Sequence, residues 1–196
     1  MLIMNYNNYI KFIYIIVRGG CILQKLKINY KINSAAAQIS EFIKKYIDSS
    51  TIIVCIGTDK CIGDCLGPLV GTILKEKNFP IPIYGTLDAP IHALNLEKNI
   101  YEIKRNYPNS KIIGIDACLG DSNSIGEIHV RDFPIHPGKG VGKILPDVGD
   151  ASIIGIIDSS DNSEFFTSRS IRLNLIFEMA KVISNSLIHA YPHYSN

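Results

Sequence analysis

Two short apolar segments, each closely followed by an aspartate, most constrain what this chain can fold into. Residues 51–56 read TIIVCI, and residues 111–116 read KIIGID. Their β-branched side chains show little polar alternation, which is typical of strands covered on both faces, as in a parallel sheet. The sequence therefore predicts that these two strands are adjacent and parallel in one sheet.

Helical and strand patterns alternate along the rest of the chain. Such alternation is typical of a mostly parallel sheet with helices on both faces. The predicted fold class is therefore α/β, a three-layer α/β/α domain. Helices are predicted at 34–48, about 67–77, 91–105 and about 163–190, and further strands at 81–86, 127–133 and 151–157.

The chain length of 196 residues fits one domain, which we place at residues 24–196. Residues 1–23 are predicted to be a non-native or disordered extension. Arg18-Gly19-Gly20 can be encoded by a purine-rich ribosome-binding sequence, and Leu23 by a TTG start codon. The longest uncharged apolar run in this region, Phe12 to Val17, is far shorter than the roughly 18 residues that a spanning helix needs.

Charge and cysteine content exclude several classes of function. The formal net charge is +2, and no run of Lys or Arg exceeds two residues, so neither nucleic acid nor a membrane is an expected partner. The five cysteines are an odd number in a chain too large to need disulfides. We therefore expect reduced thiols and a cytoplasmic location.

Asp64 and Asp116 are the candidate catalytic residues. Asp64 lies in the Gly-rich turn that follows the first apolar strand, and Asp116 ends the second apolar segment. In open α/β sheets ligands bind at the carboxyl ends of the strands, so both side chains are expected in one crevice. Two close carboxylates cannot both ionise easily, and such a pair can serve as general base and general acid. The same pair could instead hold a divalent cation.

Other interpretations of these residues stay open. Asp64 could cap the following helix, and Asp116 could close its strand with a turn. A zinc site at Cys61 and Cys65 and a phosphate-binding loop at 137–143 are less favoured, because the spacing fits neither motif. No cofactor or metal is predicted. The candidate substrate-binding residues around the pair are Asp59, Asp88, His92 and His136.

Four segments of the chain resemble segments of the YyaC-type sporulation proteins. They occur in the same order along the chain as in that family. They are IVCIGTDKCIGDCLGPLVG, YGTLDAPIHALNLE, IIGIDACLG and HPGKGVGKILPDVGDASIIGII. Those proteins are similar to the spore germination protease and, more remotely, to hydrogenase maturation proteases. The resemblance implies a phosphorylase/hydrolase-like fold. Asp64 and Asp116 match the two aspartates that the germination protease carries in a D-x-L-G-P turn and after an I-D-A strand.

The resemblance implies a cytoplasmic endopeptidase of sporulation or germination, with a protein or peptide substrate. Small acid-soluble spore proteins are the expected substrates. One alternative is a non-catalytic sporulation protein that binds a peptide or protein partner in the same cleft. Another is a metal-dependent hydrolase or metal-sensing protease that uses the same aspartates.

Overall fold

A computed structural model of the chain describes residues 4–6, 9–18, 21–137, 145–160 and 171–192, with side chains described from residue 24. Short 3-10 turns lie at 44–46, 62–64 and 122–124. The helices are α1 (Ala35–Ile43), α2 (Leu66–Glu76), α3 (Leu96–Asn106) and α4 (Leu173–Ala190). The strands are β1 (Met4–Tyr6), β2 (Tyr9–Arg18), β3 (Cys21–Asn29), β4 (Ile52–Cys55), β5 (Ile83–Tyr84), β6 (Ile112–Gly120), β7 (Glu127–Arg131) and β8 (Ala151–Ser159).

The strands form one mixed sheet in the order β1-β2-β3-β7-β8-β6-β4-β5. Strands β5, β4, β6 and β8 are parallel to one another. Strand β7 is antiparallel to both β8 and β3, and β3 continues into an antiparallel pairing with β2. The predicted parallel sheet is thus confirmed for the half that contains β4 and β6, and the other half is antiparallel.

Strands β4 and β6 are neighbours and parallel, as the sequence predicted. Ile53 is paired with Ile113, and Cys55 with Ile115. All four side chains are fully buried. Strand β5 lies on the far side of β4, at the edge of the sheet. The continuous apolar runs are therefore explained by strands that are buried on both faces.

Side chains of successive strand residues alternate between two apolar clusters on opposite faces of the sheet. The larger cluster, called here the main core, includes Ile53 and Ile113 together with residues of α1, α2 and α4. The smaller cluster includes Ile52 and Val54 together with three residues of α3, which are Leu96, Ile100 and Ile103. Residues of helices therefore contribute to both apolar clusters.

Several predicted boundaries differ from those observed. Strand β6 runs to Gly120 rather than ending at residue 116, because it pairs with β8 over its whole length. The predicted strand at 81–86 contains only the two-residue strand β5. The predicted helix at 163–190 is observed from Leu173, and its first part lies outside the described residues. The predicted segment 137–143 also lies outside them after residue 137.

The backbone of residues 9–18 forms β2, which pairs with β3 in a hairpin. Whether the native chain includes residues 1–23 stays a prediction. Among the described residues, no disulfide joins Cys55, Cys61, Cys65 or Cys118. None of the described helices combines the length and the apolar character that crossing a membrane requires.

Candidate aspartate site

The loop between β4 and α2 folds back on itself and carries Asp64. The backbone N–H of Thr58 donates to the carbonyl oxygen of Asp64 at 3.0 Å, and the N–H of Asp64 donates to the carbonyl of Cys61 at 3.0 Å. At the start of the loop, the N–H of Gly57 donates to the carbonyl of Ile91 at 2.8 Å. These bonds fix the backbone of Asp64 directly beyond the carboxyl end of β4.

The next turn of chain also lies close to β4. A Cβ atom on Gly67 would lie 2.2 Å from the carbonyl oxygen of Ile56, so only glycine allows this approach. Helix α2 therefore begins immediately beside the strand end. Asp64, two residues before Leu66, is held near the sheet by the same contact.

Asp116 occupies the position at which β6 extends past β4. The N–H of Ile56 donates to the carbonyl of Ile115 at 2.7 Å, and Asp116 comes directly after that last contact. The N–H of Ala117 donates to Oδ1 of Asp116 at 2.8 Å and orients the carboxyl group. The 62–64 turn, which contains Asp64, lies against β6. Asp64 and Asp116 therefore both lie where β4 ends and β6 continues.

The electrostatics of the two aspartates are coupled. Burial raises the pKa of Asp64 to about 6. Burial, and next the repulsion from Asp64, raise the pKa of Asp116 to about 8, against smaller opposing effects of the Ala117 N–H and of Arg131. Both residues are half-buried. At neutral pH the pair holds about one proton, mainly on Asp116.

The structure decides against the two purely structural interpretations of the aspartates. The residue that precedes α2 is Cys65, and the helix start has no hydrogen bond from a side-chain cap. Asp64 is therefore not the cap of α2. Asp116 lies within β6, which continues to Gly120, so it does not close the strand. Neither fold-stabilising role explains two carboxyl groups with raised pKa values.

Two of the predicted substrate-binding residues lie near this edge of the sheet. Asp59 is exposed and belongs to the same loop as Asp64. His92 follows Ile91, which forms a parallel bridge with Ile56 at the end of β4. The N–H of His92 donates to Oδ1 of Asn95 at 2.8 Å, so this part of the chain also organises the start of α3. His92 itself precedes the helix on which the sequence placed it.

The other two predicted residues are not joined to the pair by any contact in the described part of the chain. Asp88 is exposed in the loop after β5, where the N–H of Ala89 donates to Oγ1 of Thr86 at 3.3 Å. His136 contacts Asp147, with 2.6 Å between Nδ1 and Oδ1, and both side chains are exposed. Their roles in substrate binding stay predictions.

Arg131 is a site residue that the sequence did not single out. It interacts favourably with the carboxylate form of Asp116 and so counteracts part of the rise in that pKa. Its Nε donates to Oγ of Ser152 at 3.0 Å, and its guanidinium carbon lies 4.8 Å from the centroid of the Phe133 ring. A held, half-buried arginine thus adds a fixed positive charge beside the pair.

Metal binding was an open alternative for the aspartates. Across the described residues, no group of three or more His, Cys, Asp and Glu side chains is placed to hold a metal ion. Two carboxyl groups of different proton affinity can transfer protons.

A family model described as "Protein of unknown function (DUF1256)" matches residues 27–186, a range that includes both aspartates and Arg131. The chain belongs to this family. It is also 42% identical over 159 residues to "Uncharacterized protein YyaC" of Bacillus subtilis (strain 168), covering 79% of this chain and 78% of that relative. The predicted resemblance to YyaC-type proteins is confirmed. The DUF1256 match begins within β3, so β1 and β2 lie outside it.

Proposed function

We propose that this chain is an endopeptidase in which Asp64 and Asp116 activate a water molecule. The observation that carries the proposal is the electrostatic coupling of two half-buried carboxyl groups of unequal pKa beside the end of β4. In open α/β folds this edge is where ligands bind. The resemblance of the two motifs to the aspartates of the spore germination protease supports the same assignment.

The unequal pKa values assign a role to each aspartate. Asp64, with a pKa of about 6, is the carboxylate at neutral pH and acts as the general base. It accepts a proton from water as the water oxygen attacks the peptide carbonyl carbon. Asp116, with a pKa of about 8, retains its proton and acts as the general acid. It donates that proton when the C–N bond breaks and the amine leaves.

The fold that we propose is a three-layer α/β/α domain of the phosphorylase/hydrolase-like type. Support comes from the parallel half of the sheet, which has α3 on one face and the other helices on the opposite face. On the resemblance to the germination protease, the substrates are small acid-soluble spore proteins. The place of action is then the cytoplasm of the sporulating cell or of the spore.

The decisive experiment incubates the purified protein with small acid-soluble spore proteins and identifies the products by mass spectrometry. Asp64→Asn and Asp116→Asn should each abolish most cleavage, because each removes one of the two proton-transfer groups. Asp121→Asn is the matched control, since Asp121 is exposed and lies past the end of β6. It should cleave like the wild type.

Two outcomes would contradict the proposal. Cleavage that survives in both site variants would come from another group or from a contaminating protease. Stable binding of the spore proteins without cleavage by the wild type would instead support the non-catalytic alternative, in which the cleft holds a peptide or protein partner.

A further inference from the structure

The polar side of β3 lies on the sheet face opposite the main core. Leu26 and Ile28 are buried in the main core. Because strand side chains alternate, Lys25 and Lys27 face the other way. Both lysines are half-buried rather than exposed. A pair of lysines is thus held against a sheet face.

Strand β7 repeats this pattern beside β3. Ile128 and Val130 belong to the main core, so the intervening residues share the face of the lysines. The antiparallel register places Arg131 directly opposite Lys25. We call this surface the polar face. Its charged or ionisable residues on β3 and β7 are Lys25, Lys27, Glu127, His129 and Arg131.

The cations of the polar face repel one another. Burial, followed by repulsion from Lys27 and Arg131, lowers the pKa of Lys25 to about 8. Glu127 and Cys118 are the described groups that attract Lys25. Cross-strand partners have Cβ atoms only about 5 Å apart, so Lys25 and Arg131 can approach the same small ligand.

The anionic groups nearby do not balance this charge. Glu127 is engaged by His129, with 2.8 Å between Oε2 and Nε2, and burial lowers the pKa of that histidine to about 4. The imidazole is therefore neutral at pH 7. Asp116 is mostly protonated at that pH, because its pKa is raised to about 8. The Glu127 carboxylate thus attracts Lys25, whereas Cys118 and the mostly protonated Asp116 attract Arg131.

Arg131 is already oriented for a ligand. Its Nε is occupied by Ser152, and the ring of Phe133 lies beside the guanidinium. Among the described residues, the guanidinium donates one hydrogen bond, and Ser152 accepts it. The two terminal nitrogens are left to donate to a ligand. A guanidinium edge of this kind fits the paired oxygens of a carboxylate or a phosphate.

We propose that Lys25 and Arg131 form a binding site for an oxyanion, the carboxylate or phosphate group of a ligand, on the polar face beside Asp116. Lys25 supplies a point charge, and Arg131 supplies a fixed fork of donors. An anion held between them would relieve their mutual repulsion. The site does not depend on peptide hydrolysis and goes beyond the proposed function.

The test is a titration of the full chain with inorganic phosphate and, separately, with acetate, at constant ionic strength. Binding is followed by backbone amide shifts in β3 and β7 and by calorimetry. Lys25→Met and Arg131→Gln should each weaken binding about tenfold, the loss expected for one charge-assisted hydrogen bond. Binding of phosphate alone identifies a phosphate group as the ligand, and binding of acetate alone identifies a carboxylate.

Matched variants make the result specific to this site. Lys44→Met removes the same charge from a lysine whose side chain is 55% exposed, and it should leave binding unchanged. Arg131→Lys keeps the charge and should retain part of the affinity. Retained binding in this variant shows that the loss in Arg131→Gln comes from the missing charge and not from a folding defect. Asp116→Asn keeps this position neutral, as in mostly protonated Asp116, and should bind the anion like the wild type even if it cleaves nothing. The proposal is overturned if neither anion binds, or if Lys44→Met weakens binding as much as Lys25→Met does.

Discussion

Gly57 lies directly against the backbone of Asp64. A Cβ atom on Gly57 would be 2.0 Å from the carbonyl oxygen of Asp64, and the φ angle of Gly57 is +139°, which side chains of L residues rarely adopt. The carbonyl of Asp64 also accepts the N–H of Thr58 at 3.0 Å. The position of the candidate base therefore depends on the absence of a side chain seven residues earlier in the same loop.

Gly57→Ala should displace the loop that carries Asp64. The steric contact and the unfavourable φ angle together are expected to cost about 2–4 kcal/mol of unfolding free energy. Displacement of Asp64 should also lower the pKa of Asp116, because repulsion from Asp64 contributes to its rise. Urea unfolding and a carboxyl-carbon NMR titration measure these two effects.

Gly120→Ala provides a comparison for Gly57→Ala. Its Cβ would lie 2.9 Å from a methyl group of Ile156, a side chain that can shift, so the destabilisation should be smaller. An unchanged Asp116 titration in Gly57→Ala would show that the Gly57 contact does not position the pair.

The contribution of Asp116 to the stability of the fold should fall as the pH rises. Its pKa rises from the ordinary value of 3.8 to about 8 in the folded chain, so the folded state binds more protons than the unfolded state between those values. The contribution is fully present below pH 4 and is lost as the pH rises towards 8. Asp116→Asn lacks this dependence. Relative to the wild type it should therefore gain up to about 4 kcal/mol between pH 4.5 and pH 8, since one pKa unit corresponds to about 1.4 kcal/mol.

Asp48→Asn serves as a control, because the contribution of Asp48 to stability has the opposite pH dependence. Hydrogen bonds from Ser50 lower the pKa of Asp48 to about 2. This aspartate stabilises the fold above pH 4, and its contribution is lost as the pH falls towards 2. Urea midpoints measured across the pH range separate the two cases. Parallel curves for the wild type and Asp116→Asn would contradict the raised pKa.

The parts of the fold that local sequence determines were predictable. The apolar runs of β4 and β6 identified two buried parallel strands, and the Gly-rich turn located Asp64 beside Asp116. The polar face was not predicted, although its signal is visible in β7, where polar Glu127, His129 and Arg131 alternate with apolar Ile128 and Val130. Alternation shows that one face is polar, but it does not show which strand lies alongside.

The missing information was the long-range register. Lys25 lies opposite Arg131 because β3 and β7 pair antiparallel, and the two residues are far apart in sequence. A shift of one residue would move every side chain to the other face. The end of β6 was misjudged for a similar reason, since its pairing with β8, a strand much later in the chain, carries β6 on to Gly120. Neither partner can be read from the segment itself.

Loss of Arg131 should raise the pKa of Asp116. The positive charge favours the carboxylate form of Asp116, so Arg131→Gln removes a stabilising interaction of the anion. Arg131→Lys keeps the charge and should restore much of the wild-type titration. Arg105→Gln, which removes an exposed charge from the end of α3, should have no effect. If all three variants titrate Asp116 alike, Arg131 does not control its proton affinity.

The pH dependence of cleavage tests the assignment of the two roles. A base with a pKa of about 6 and an acid with a pKa of about 8 predict a bell-shaped profile of kcat/KM between these values. Asp64 must be ionised, which sets the acidic limb, and Asp116 must be protonated, which sets the basic limb. Arg131→Gln should move only the basic limb, towards higher pH, since Asp116 is the group that it contacts electrostatically. Movement of the acidic limb instead would exchange the roles of the two aspartates. A profile with no limb in this range would mean that the coupled pair does not carry out the rate-limiting proton transfer.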